Sequence, residues 1–202
     1  MATRRLEQAV VCSVVPQATP KVVRALRAAG CPRVRVAGRT LRIPIKNRYR
    51  YPRQVGQDRL VGAYAAWRTY KRDCIVADFG TAITIDVVTR NGEYLGGVIA
   101  PGLDISLEAL AARTALLPKV ELREPPELLG RDTANSIRSG LLYGCVALCE
   151  GLVTQLKRRY APKAVVVATG GSSPLIAKHT RLIRRLRPTL VLEGLYELSK
   201  SK

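Results

Sequence analysis

Short apolar runs separated by polar turns recur along the chain, with segments of helical period between them. Cys74–Asp78 is an apolar run ending on a carboxylate, the pattern of a buried strand. Ala82–Thr89, rich in Ile, Val and Thr, predicts a second strand. Asn91-Gly92 is a strong hairpin signal, so Glu93–Ala100 is expected to return antiparallel as a third strand. Upstream, the pattern predicts a strand over Gln8–Val15 and an amphipathic helix over Lys21–Ala29, stopped by Gly30. Val34–Ala37 and Leu41–Ile45 read as short strands around Gly38. Lys46–Arg53 reads as a basic loop carrying Tyr49 and Tyr51, and Asp58–Tyr70 as a helix. Downstream of the hairpin, a helix is predicted over Leu103–Ala115, then a proline-rich loop over Pro118–Gly130. A long helix over Ala134–Tyr160 follows, its Gly140, Gly144 and Gly151 suited to close packing. Ala164–Thr169 reads as a strand ending in Gly170-Gly171, Pro174–Arg185 as a helix, Thr189–Leu192 as a last short strand and Gly194–Ser199 as a terminal helical turn.

Length and composition alter this picture little. At 202 residues and 47% hydrophobic content, the chain suits one or two globular domains. No uninterrupted apolar run approaches the roughly 20 residues that span a bilayer. Ala9–Val15, behind Arg4 and Arg5, faintly resembles a signal peptide. It is short, meets Pro16 and lacks a small-residue cleavage site, so a buried strand and a cytoplasmic protein are expected. The five cysteines, Cys12, Cys31, Cys74, Cys145 and Cys149, are odd in number and contain no C-x-x-C. They read as core residues rather than as disulfides or zinc ligands, and the single histidine, His179, as a solvated side chain.

Charge matters more. The formal net charge is +19, and residues 1–60 hold 14 Lys/Arg against 2 Asp/Glu. Such asymmetry fits a nucleic-acid partner, an anionic small substrate, or an arginine-rich composition without further meaning. One Phe and one Trp leave little for base stacking, so nucleic acid is not the expected partner.

The candidate chemistry sits at the first hairpin turn. Asp78-Phe79-Gly80-Thr81 puts a carboxylate, a glycine and a hydroxyl where a phosphate and its cation could be held, Gly80 supplying backbone freedom and close approach. The bland alternative is an ordinary hairpin with Asp78 capping its turn. Three strands followed by alternating helix and strand give an α/β layer arrangement. This is also the order of the ribonuclease-H-like half-domain of actin, sugar kinases and acetate kinase. There, two such halves clasp a nucleotide between phosphate-holding hairpin turns and a Gly-Gly turn. Asp78–Thr81 and Thr169–Gly171 stand where those elements belong.

Five motifs narrow the resemblance: G-x-D-R at Gly56–Arg59, D-F-G-T-A at Asp78–Ala82, G-G-V-I-A-P-G at Gly96–Gly102, G-R-D-T-A-N-S-I at Gly130–Ile137 and T-G-G at Thr169–Gly171. In this order and at about this spacing they resemble type III pantothenate kinase, over nearly the whole chain from Val10 to Leu198. The resemblance implies ATP-dependent phosphorylation of pantothenate by a homodimer using ATP with Mg2+ and a monovalent cation, K+ or NH4+. It implies that Asp58 accepts the proton and that Gly56, Gln57 and Arg59 complete the pantothenate segment. Tyr49 and Thr133 become further pantothenate contacts. Gly80, Thr81, Gly170 and Gly171 become ATP contacts, and Asp78 the cation ligand. Spacing alone would make Asp78 the base; the resemblance reverses this.

Local alternatives stand beside each role. Asp58 suits the cap of the following helix, Thr133 the cap of the long helix, Tyr49 a solvated loop, and Asp86 a structural role. The family also opens with a strand and a D-x-G-N-T phosphate loop, and neither precedes Gln8. The resemblance therefore implies a partial first ribonuclease-H-like domain over residues 1–70 and a second over 71–202. It implies either a start assigned too far downstream or a degenerate relative, and negligible turnover without an upstream segment. A non-catalytic regulatory or nucleic-acid-binding relative is the main rival, and another kinase of the superfamily the second.

Overall fold

The computed structural model describes residues 6–201; Arg4 and Arg5, flanking the apolar Ala9–Val15 stretch, lie outside the described residues. The hairpin forms as the pattern predicts: β4 (Cys74–Phe79), β5 (Ala82–Val88) and β6 (Glu93–Pro101) pair antiparallel in sequence. Gly92, at φ +72°, closes the second turn. Three further strands extend this sheet: β3 (Lys46–Asn47), parallel to β6; β7 (Val165–Thr169), parallel to β4; and β8 (Arg185–Leu186), parallel to β7. The order is β3-β6-β5-β4-β7-β8. A second, two-stranded parallel sheet joins β1 (Gln8–Val11) to β2 (Arg33–Val36) through helix α1 (Ala18–Ala28).

Strand periodicity splits the core into two. Cys74, Val76, Val88, Tyr94 and Val167 face α2 (Gln57–Tyr70) and α6 (Leu190–Ser199). Ile75, Ala77, Phe79, Ile85 and Val87 belong to the opposite core, which contains residues of α3 (Leu103–Arg113), α4 (Thr133–Tyr160) and the one-turn α5 (Ser173–Ala177). The result is a three-layer α/β/α arrangement. The small sheet docks on the end of α6, where Arg35 and Gln8 donate to the Ser199 carbonyl at 2.6 and 3.4 Å.

Five elements differ from their expectation; the first is Lys46–Arg53, expected as a basic loop, whose first two residues form β3 by pairing with Glu93 and Tyr94. β1 stops at Val11, because Ser13 and Val15 form the turn that starts α1: the Val15 carbonyl accepts from Ala18 and Thr19 at 3.1 and 3.3 Å. Leu41–Ile45 makes only an isolated bridge from Leu41 to Ala37. The helix over Pro174–Arg185 ends after Ala177. The Thr180 hydroxyl bonds Glu150 at 2.6 Å and accepts from the Leu182 amide, and the chain then runs out into β8. Thr189–Leu192 is not a strand but the start of α6, whose Leu190, Gly194 and Leu198 are buried at helical spacing. A Cβ on Gly194 would sit 2.8 Å from Val61, so that glycine sets the close approach of α6 to α2.

The long helix α4 is, by length and composition, apolar enough to cross a bilayer, a test that the core helix of a globular fold also passes. Leu142, Cys145, Val146, Cys149 and Val153 bury one face in the second core.

Candidate active site

The pleat places Asp78, Thr84 and Asp86 on the face that carries α2, since Asp78 pairs with Thr84 and Asp86 with Val76. The N-terminus of α2 lies over them. Gly56 is its N-cap, so Asp58 is not the cap; it occupies the first turn, and its Oδ1 accepts from the Arg59 amide at 2.8 Å. A Cβ on Gly56 would press on that same oxygen and displace the Asp58 carboxylate. Likewise Gly38, at φ +75°, makes room for the Gln57 side chain.

Arg59 reaches down to the sheet. Its Nε and Nη2 hold Asp86 at 3.1 and 2.5 Å, and Tyr94 Oη and Thr84 Oγ1 bond the same carboxylate at 2.8 and 3.3 Å. Burial drives the Asp86 carboxyl up against the pull of these donors. Burial also works against the guanidinium, but the hydrogen bonds and charge of Asp86 outweigh it and hold Arg59 above its ordinary value. A forked, desolvated pair of this kind is ionised and fixes geometry. The Arg59 fork is thus occupied within the chain, and Asp86 and Tyr94 anchor the G-x-D-R segment. Sequence reasoning gave Asp86 a structural role, and this anchor is one; the alternation of Thr84 and Asp86 along β5, with Thr84 paired to Asp78, puts it on the site's face. Tyr49 packs its ring 6.4 Å from that of Tyr94 and lies against Gly96, so it is not a free loop tyrosine.

Three turns meet at Asp78. Gly102 donates to the Thr81 carbonyl at 3.1 Å, and Ser172 to the Phe79 carbonyl at 3.1 Å. Gly170, at φ +91°, packs so closely that a Cβ would lie 2.7 Å from the Phe79 nitrogen and collide with the Asp78 carboxylate. Gly80 needs no unusual conformation: its φ is not positive, and a Cβ would meet only ordinary contacts. The conformational demand expected of Gly80 falls on Gly170. Gly80, Thr81 and Gly171 are exposed around this junction. Burial, then the charges of Asp58 and Asp86, push the Asp78 carboxyl up to about 6. Asp58 also helps burial to raise the Cys12 thiol to about 11.

Asp58, Arg59, Asp78, Asp86, Gly170 and, through Tyr94, Tyr49 therefore converge. Thr133 does not. It is the exposed first residue of α4, capped by Asp132, whose Oδ1 accepts from the Asn135 amide at 2.8 Å. That helix belongs to the opposite face of the sheet from α2. Chemically, the convergent group offers a carboxylate at a helix N-terminus, a second carboxylate short of counter-charge, and exposed turn backbone for phosphate oxygens.

A family model described as type III pantothenate kinase matches residues 1–155. A type III pantothenate kinase of Moorella thermoacetica is 40% identical over 192 residues, covering 95% of this chain and 76% of that protein. One from Syntrophotalea carbinolica is 41% identical over 191 residues, covering 95% and 75%. Among solved structures, a Campylobacter jejuni protein described as a Baf family transcriptional activator superposes with a TM-score of 0.66. It is 19% identical and the match covers 96% of this chain and 82% of that one, a likeness of fold. The mixed α/β sheet fits the actin-like, ribonuclease-H-like fold expected from the element order. The chain belongs to the type III pantothenate kinase family.

Proposed function

We propose that the protein transfers the γ-phosphoryl group of ATP to the primary alcohol of pantothenate, giving 4'-phosphopantothenate and ADP, the first step towards coenzyme A. The observation that carries this reading is the meeting of Asp58, at the start of α2, with the Asp78–Thr81 and Thr169–Gly171 turns. Phosphoryl transfer depends mostly on positioning and charge neutralisation, with a group to take the proton. The pantothenate oxygen forms the new bond to phosphorus as the bond to the β-γ bridging oxygen breaks. Asp58 takes the hydroxyl proton.

Gly80, Thr81, Gly170 and Gly171 line the nucleotide end, while Tyr49, Gly56, Gln57 and Arg59 shape the acceptor end. Arg59, committed to Asp86, acts there by holding its segment in place and by its charge. Asp78 suits a monovalent cation, K+ or NH4+, because burial and neighbouring carboxylates leave it short of positive charge. Among the described residues no cluster of three or more ligating side chains forms a metal cage. Such a cation, and the Mg2+ that accompanies ATP, would neutralise phosphate charge.

Thr133, on the other side of the sheet, can serve a site containing Asp58 only from a second copy, which supports a homodimer. A cytoplasmic location follows from the proposed substrates. The test is ADP release by the protein as the cell produces it, with pantothenate, glucose, glycerol and acetate as alternative acceptors. Stimulation by pantothenate alone is expected. Stimulation by a sugar or acetate and not by pantothenate would assign the site to another kinase of the superfamily.

A further inference from the structure

A cavity of about 480 Å³ opens at the end of β4 and β7 opposite to Asp78 and Gly170. It lies between the residue pair before β4, the last turn of α4, the start of β7 and the segment leading into β8. Arg72, Lys157, Lys163, Arg181, Arg184 and Arg185 line it, and no acidic side chain does. Among the described residues, none of these six forms an ion pair. Lys157 has a structural occupation, since a cation in the last turn of α4 complements the helix dipole. Arg185 makes one long bond, at 3.5 Å, to the Arg184 carbonyl; gathering these cations around one concavity costs mutual repulsion that a bound anion would relieve.

We propose that this cavity binds a small polyphosphorylated anion of the nucleoside di- or triphosphate class, at a site separate from the phosphoryl-transfer site. Guanidinium forks match phosphate oxygens in pairs, and four of the six cations are arginines. The remaining lining, Ala164, Val165, Val166 and Leu182, is apolar and suits the organic part of such a ligand. β8 pairs only with Val167 and Ala168, so it leaves that part of β7 open to the cavity. The absence of any aromatic side chain from the lining disfavours a single nucleic-acid strand, which binds through stacking. At about 3.3 Å per strand residue, the length of β4 puts the cavity roughly 15 Å from Asp78, so phosphates held by these cations lie out of reach of the transfer there.

The test is calorimetric titration of the full chain with inorganic tripolyphosphate at about 150 mM salt, where loose electrostatic binding is screened. An Arg181→Ala/Arg184→Ala/Arg185→Ala variant is compared with Lys21→Ala/Arg24→Ala/Arg27→Ala, which removes the same charge from α1. All six side chains are exposed, and far-UV circular dichroism checks that both variants fold. Saturable binding is expected in the wild type and in the α1 variant, weakened at least about tenfold in the cavity variant. Equal weakening in both variants, no saturable binding, or undiminished binding by the cavity variant would overturn the proposal. So would a single- or double-stranded oligonucleotide that binds the cavity more tightly than tripolyphosphate. The readout is independent of pantothenate turnover, so its failure leaves the transfer reading untouched.

Discussion

Asp86 is 2% exposed and supports more of the site than its place in the sequence suggested. It ties Arg59, Tyr94 and Thr84 into one network, and a Cβ on Gly97 would run into it. Asp86→Ala strands the Arg59 guanidinium without a partner, so a loss of about 3–5 kcal/mol is expected in chemical denaturation. A loss below about 1 kcal/mol would mean that the pair is dispensable. Asp78 makes a different prediction. Its pKa in the fold, about 6, lies above the ordinary 3.8. The folded state therefore holds the proton more tightly, and this contribution to stability is full below about pH 4 and lost as pH rises through 6. Asp78→Asn stays neutral, so the variant should gain on the wild type by about 1–2 kcal/mol between pH 4 and 7, after allowance for solvent screening. Thermal melts of both proteins across that range, without added cation, measure the gain; a constant difference would remove the strain assigned to Asp78.

Turns rather than strands distinguish this site at the scale of elements. The hairpin β4-β5-β6 was legible because apolar alternation and Asn91-Gly92 agree. So was α2, and its carboxylate was visible near the start. The C-terminal elements were not legible. Thr-Leu-Val-Leu at 189–192 is too short a window to separate strand from helix, and only packing against Val61 and Ala65 of α2 decides it. Thr180 likewise ends a helix through a bond to Glu150, 30 residues away in the chain. The glycines of the turns were visible, but their division of labour was not. Gly170→Ala forces a Cβ into the Phe79 backbone at a left-handed φ and should cost at least about 1–3 kcal/mol. The adjacent Gly171, with nothing within 4 Å of a Cβ, should tolerate alanine within about 0.5 kcal/mol. Equal effects of the two substitutions in denaturant titrations would contradict the close meeting of the two turns.

On the scale of the whole molecule, the sheet separates residues that the family motifs bring together. Asp58 sits on the α2 face and Thr133 starts a helix of the other face. No pattern within one chain shows that separation, because both motifs read equally well as local helix starts. If Thr133 serves the site of a second copy, variants Asp58→Asn and Thr133→Ala, each inactive alone, should recover about a quarter of wild-type turnover when unfolded and refolded together in equal amounts. No recovery would place both residues in one subunit's site or remove Thr133 from it. The role of Asp58 is the centre of the account, and the initial rate of pantothenate phosphorylation by Asp58→Asn beside wild type, both as the cell produces the protein, tests it most directly. The substitution keeps size and leaves the Arg59–Asp86 anchor in place. The account predicts a fall in kcat on the order of 10²–10⁴-fold, with nucleotide affinity and melting temperature little changed. Near-normal turnover in the folded variant would contradict it and return Asp58 to a purely structural place at the start of α2.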